Sequence, residues 1–168
     1  MMGFLQRVFR KGAATPIPYE ESKRLSQGGS VKDRRRVATH TELRPELLYF
    51  LAQDPDPGVR AAVAANAATP VQANLLLARD GDDSVRQDLA RKIALLAPGL
   101  TAQEHDRLRR MTYEVLAILV RDQVARVRQI VGEALKDVAD APPEIIQRLA
   151  RDCEIVVAGP VLDRKSVV

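Results

Sequence analysis

The chain has 168 residues, which suits one domain or a short repeat array with a tail, and 46% of them are apolar, enough to form a core. Aromatics supply only 4% and tryptophan is absent, so the core must be made of Ala, Val and Leu, a composition that favours closely packed helices over sheets. One cysteine excludes a disulfide framework and a cysteine metal cage within one chain, and no apolar run reaches the ~18 residues of a membrane-spanning helix.

The N-terminus lacks a secretory signal pattern, and together with the single thiol this points to a reducing, cytoplasmic setting. The net charge of +4 is uneven. Residues 1–44 hold 10 Lys/Arg against 4 Asp/Glu, and residues 45–168 hold 16 against 18. The basic character therefore belongs to the N-terminal quarter. That weakens a nucleic-acid reading, which wants a basic stripe along the binding face.

In chain order, residues 3–11 place Phe4, Leu5, Val8 and Phe9 on one face of a short basic amphipathic helix. The functional reading is weak contact with a membrane surface, peripheral at the inner membrane, or docking to a partner; the plainer one is a frayed terminus. Residues 12–18 form a linker broken by Pro16 and Pro18, so residues 1–18 stand apart from a helical body over 19–168. A short helix over 19–26 ends at Gly28 and Gly29. Ser30 or Asp33 caps the next, which runs to about His40. Pro45 opens a helix that buries Leu47, Leu48, Phe50 and Leu51. After the turn at Asp54-Pro55-Asp56-Pro57-Gly58, a helix over 59–66 points Val59, Ala62 and Val63 inward. Thr69, Pro70 and Gln72 read as cap, first residue and capping-box position of a helix carrying Leu75, Leu76 and Leu77. A longer helix over 85–97 precedes a capping box at Thr101 and Glu104 and a helix to about Val120. Helices over 126–139 and 144–151 follow, and a last one begins at Ile155 with Gly159 and Pro160 expected to break it.

A repeat underlies these elements. Asp54, Asp80, Asp122 and Asp152 are each followed five residues later by Val59, Val85, Val127 and Val157, and Arg60, Arg86 and Arg128 follow the first three valines. The interval is 26 residues from Asp54 to Asp80 and 42 from Asp80 to Asp122. Self-similarity of this kind signals stacked helical hairpins. The expected fold is all-α, a right-handed α-solenoid of about four hairpins. It carries no polar capping repeat at its C-terminal end, so either that end self-associates or the chain is a fragment of a longer protein, the reading favoured here.

The run from Asp54 to Pro70 resembles leucine-rich-variant and HEAT-like repeats. Residues 19–168 resemble the DUF2336 family of alphaproteobacterial proteins, on the strength of Tyr19-Glu20-Glu21-Ser22-Lys23-Arg24-Leu25 and the block over residues 133–162 that contains Ala141-Pro142-Pro143-Glu144 and Ala158-Gly159-Pro160. The resemblance implies a bacterial cytoplasmic α-solenoid and brings no activity with it. An iron–sulfur cluster, held by N-terminal cysteines in one leucine-rich-variant protein, does not carry over to a chain with one Cys.

No catalytic constellation emerges, and no cofactor or metal is expected. His40 and His105 stand alone, whereas zinc needs three or four ligands, and Gly28-Gly29 lacks the Lys-Ser/Thr of a phosphate loop. Cys153 reads as a half-buried packing residue. The pairs Asp54/Arg60, Asp80/Arg86 and Asp122/Arg128 read chiefly as a structural ladder and secondarily as a row of cations for an acidic ligand. Arg34, Arg35, Arg36 and Arg44, with Lys32, form a basic cluster on the first unit that reads chiefly as a solvated helix face and secondarily as a partner-binding site for phosphate or acidic lipid; Arg107, Arg109 and Arg110 mark the wet face of the long helix. The leading expectation is a non-enzymatic scaffold whose concave face, built from the second helix of each hairpin, holds another protein or a peptide, with Gln72, Arg107, Arg110 and Gln147 among the contacts. The alternative is a nucleic-acid-binding array that lines a basic groove with Arg79, Arg107, Arg110, Arg148 and Arg151.

Overall fold

The structure, a computed structural model, describes residues 17–96, 106–138 and 141–163. The amphipathic segment 3–11, Thr101 and Glu104, His105 and the last residues lie outside that part, as do the side chains of Arg107 and Arg109. The described residues are all-α, in ten helices: α1 (Tyr19–Gly28), α2 (Val31–Ala38), α3 (Pro45–Leu51), α4 (Pro57–Ala65), α5 (Val71–Leu77), α6 (Asp83–Leu96), α7 (Asp106–Leu119), α8 (Ala125–Leu135), α9 (Pro143–Ala150) and α10 (Ile155–Leu162).

The helices fall into two rows. In one row α2, α4, α6, α8 and α10 pack in succession, each extensively on the next. In the other, α1 contacts α3, α3 contacts α5 and α5 contacts α7, more sparsely. Between the rows sits one continuous core in which Leu48, Leu51, Leu77, Leu89, Leu116, Leu119, Leu135 and Leu149 are fully buried. Valines at one position of each successive unit, Val59, Val85, Val127 and Val157, are excluded from solvent and fill the joint between neighbours in the closer row. Small residues permit that closeness. A Cβ on Gly132 of α8 would come 3.0 Å from the Val157 carbonyl of α10, so glycine lets the two backbones approach.

Proline and capping residues set the starts. Pro45, Pro57 and Pro143 each stand in the first turn, where the missing N–H has no partner to lose. Ser30 caps α2 and forms a reciprocal box: its Oγ accepts the Asp33 N–H at 3.2 Å, and Asp33 accepts the Ser30 N–H at 3.2 Å. Ser30→Ala is expected to cost about 1 kcal/mol in denaturant unfolding, and a change under a few tenths would show that the box contributes nothing.

Several sequence-based expectations fail for tertiary reasons. Thr69 does not cap α5; its hydroxyl donates to the Val63 carbonyl at 2.6 Å, a buried bond tying the turn to α4, and Pro70 occupies the cap position. Phe50 is 47% exposed, because the short α3 turns only Leu47, Leu48 and Leu51 inward. Cys153 is exposed. Helix α10 continues through Gly159 and Pro160 to Leu162, since Val157, Ala158 and Val161 pack against the preceding units and outweigh the one backbone bond that proline forgoes.

Candidate functional site

The charged groups that recur along the chain form rungs between successive units. Arg34 reaches Asp54 (Nε–Oδ2 2.6 Å), Arg60 reaches Asp80 (2.7 Å), Arg86 reaches Asp122 (2.5 Å) and Arg128 reaches Asp152 (2.6 Å). Each is a two-pronged contact, because Nη2 meets the second carboxylate oxygen at 2.9–3.1 Å. The third arm turns back: Nη1 of Arg60, Arg86 and Arg128 donates to the carbonyl of Asp54, Asp80 and Asp122, and that of Arg34 to Gly29. Each carboxylate also accepts the N–H two residues on, at Asp56, Asp82, Val124 and Glu154, closing the turn. One guanidinium thus holds its own turn and the next unit together.

Burial and pairing act against each other on the rungs. Desolvation raises the Asp54 carboxyl, but the hydrogen bonds from Arg34 and Asp56 outweigh it and leave the group below the usual carboxylate range. The Arg128 hydrogen bond is the largest influence on Asp152 and holds it low as well. All four arginines are pushed up by the carboxylate they bind. These groups are committed to structure, and Arg34 leaves the basic cluster that the sequence suggested to become the first rung. Its position could have been found: it lies 26 residues before Arg60, the interval of the repeat.

A second ladder runs on the opposite ends of the same helices. Asn66 Nδ2 donates to the Ala38 and His40 carbonyls at 2.8 and 2.9 Å. Lys92 Nζ donates to the Asn66 carbonyl at 3.2 Å and to Asn74 Oδ1 at 2.6 Å. His40, Asn66 and Lys92 are again 26 apart. Lys92 is 5% exposed, and burial pushes its ammonium down to about 7. Periodicity alone missed it, because the three residue types differ.

The face formed by α3, α5, α7 and α9 is ordered in stripes. Eight residues before each rung aspartate stand Glu46, Gln72, Glu114 and Glu144, all exposed. Four before it stand Phe50, Leu76, Ile118 and Arg148, and one before it Gln53, Arg79, Arg121 and Arg151. Tyr49, Phe50 and Leu76 are 41–47% exposed, large areas for apolar side chains. Where α5 meets α7, a cleft of about 590 Å³ is lined by Ala78, Ala117, Ile118, Arg79, Arg121 and the Arg86–Asp122 rung, among others.

The other sequence-selected residues are dispersed. Arg35 and Arg36 are exposed on α2. Arg44 lies over the Tyr19 ring, 4.3 Å from its centroid, beside a small pocket of about 150 Å³ that includes His40 and Glu42. Arg110 is exposed on α7, the helix that also carries Arg107. Among the described residues no group of three His, Cys, Asp or Glu is placed to hold a metal, and no helix is long and apolar enough to cross a membrane. No family model, curated protein or solved structure matches the chain.

Proposed function

We propose that the chain is a non-enzymatic scaffold: a right-handed α-solenoid of about four hairpins, of the HEAT-like and DUF2336 type, that works in the bacterial cytoplasm by holding another protein. The carrying observation is the register of the exposed face. Acidic, apolar and basic residues recur at fixed distances from each rung, each kind on three of the four helices, with Gln72, Arg148 and Gln53 the exceptions, and over a change of interval from 26 to 42 residues. Core packing does not demand that order of solvent-facing residues. The closer packing of the α2–α10 row supports putting α3, α5, α7 and α9 on the wider side of the stack, so the surface we assign is an exposed face and not a hollow.

Nucleic acid is the second reading, favoured by the exposed arginines Arg79, Arg121, Arg148 and Arg151. Glu46, Glu114 and Glu144 share that face and oppose a phosphate backbone, and an apolar stripe has no use there. A peptide-display selection and a duplex-DNA mobility shift on the full chain separate the two. The scaffold reading expects peptide families that compete for one face, with no DNA retardation at low salt. Retardation that falls steeply with salt and no enriched peptide would establish the alternative.

A further inference from the structure

We infer that the cleft between α5 and α7 is a docking groove for an acidic, apolar peptide segment, which sets a carboxylate between Arg79 and Arg121 and an apolar side chain on Ala117 and Ile118. The inference rests on the scaffold reading and narrows it to one site and one ligand class.

The cleft lies where the repeat interval lengthens from 26 to 42 residues. The rung survives there, with Arg86 and Asp122 joined at 2.5 Å, and α5 and α7 stay in contact while a cleft opens at their C-terminal ends. Two aspartates, Asp80 and Asp122, line that cleft, yet their carboxylates are bound to Arg60 and Arg86. The remaining cations, Arg79 and Arg121, have no carboxylate partner among the described residues. Arg79 makes one long contact, 3.3 Å to the Leu75 carbonyl. Both guanidiniums are exposed, while the four rung guanidiniums are 12–19% exposed and bound. A guanidinium takes a carboxylate in a two-pronged, planar contact, the geometry this chain uses four times internally.

The apolar half of the ligand follows from the wall. Ala117 and Ile118 line the cleft, and Leu76, at the position on α5 equivalent to Ile118, is 41% exposed. One unit earlier the same stripe continues as Tyr49 and Phe50. A ligand with charge alone would leave this strip wet; a ligand without charge would bury two unpaired cations. Glu114 on the same face repels a second phosphate or a continuous anionic backbone, whereas a peptide spaces its carboxylates.

The test uses the full chain and fluorescein-labelled synthetic peptides of one length: repeating Leu-Glu-Glu-Leu, the same with Lys for Glu, and the same with Ser for Leu. Anisotropy is expected to show the Leu/Glu peptide binding at least about tenfold tighter than either control, with affinity falling as salt rises. Arg79→Glu with Arg121→Glu removes that binding, and Arg126→Glu on α8 leaves it intact. If the double reversal disturbs the helical circular dichroism, Arg79→Gln with Arg121→Gln replaces it and is expected to weaken binding about tenfold. Equal affinity for the Ser peptide, or binding untouched by either double variant, overturns the groove. Display-selected peptides without Asp or Glu that ignore Arg79 and Arg121 overturn the groove and leave the scaffold reading standing. Duplex-DNA retardation with no peptide bound overturns both.

Discussion

Replacing Arg86 with alanine is expected to lower the unfolding free energy by about 3 kcal/mol, among the largest effects of any substitution outside the apolar core. The side chain makes three contacts that no neighbour can replace: two to the Asp122 carboxylate and one to the Asp80 carbonyl at 2.7 Å. The Asp122 side chain is only 6% exposed, so its charge stays desolvated once the guanidinium is gone. The cost is therefore mainly that of a stranded carboxylate, above the modest worth of the intact pair. A double-mutant cycle with Asp122→Asn distinguishes these contributions. The double variant should recover about 1 kcal/mol or more relative to Arg86→Ala alone, read from urea unfolding. A loss under about 1 kcal/mol for Arg86→Ala, or strictly additive substitutions, would mean that the rung is ornamental.

The second large effect concerns pH. Lys92 in the folded chain is pushed down to about 7 by burial, and its two partners, the Asn66 carbonyl and the Asn74 amide oxygen, are neutral. Its folded value thus lies below the unfolded one of about 10.4. Between these values the unfolded chain binds the extra proton, so stability rises with pH. Below about 7 the folded state carries the full cost of a buried ammonium, and the cost disappears as pH climbs through the window. Measured against Lys92→Met, the wild-type protein is expected to gain about 2 kcal/mol between pH 7 and 9. Parallel stability profiles for the two proteins would contradict a desolvated Lys92. Because Asn66 passes the contact on to the Ala38 and His40 carbonyls, the same substitution should also speed amide exchange in the first unit.

Arg34 shows how far local reading goes. Its neighbours Arg35 and Arg36 make it look like one member of a basic cluster, and only the stacking of α2 on α4 carries its guanidinium to Asp54, twenty residues away. The reach of an arginine is a property of two packed helices, which residue order does not contain. Asp152 is the converse case: the copy around it has lost the following arginine, yet the carboxylate still accepts Arg128 from the preceding unit. Lys92 was illegible because a lysine inside a helix reads as solvated unless three-dimensional neighbours remove the water.

The sequence by itself determined the helical class, the positions of the turns and the intervals of 26 and 42 residues, because prolines, caps and apolar spacing act within a few residues of one another. It also marked Asp54, Arg60, Asp80, Arg86, Asp122 and Arg128 as belonging together. Only the tertiary structure decided that each arginine binds the aspartate of the next unit, that Phe50 and Leu76 face solvent, and that α10 runs through Pro160. The physical reason is common to all three. Partner choice, exposure and tolerance of a lost backbone bond are settled by what a neighbouring helix brings to within a few ångströms, and that neighbour lies tens of residues away along the chain.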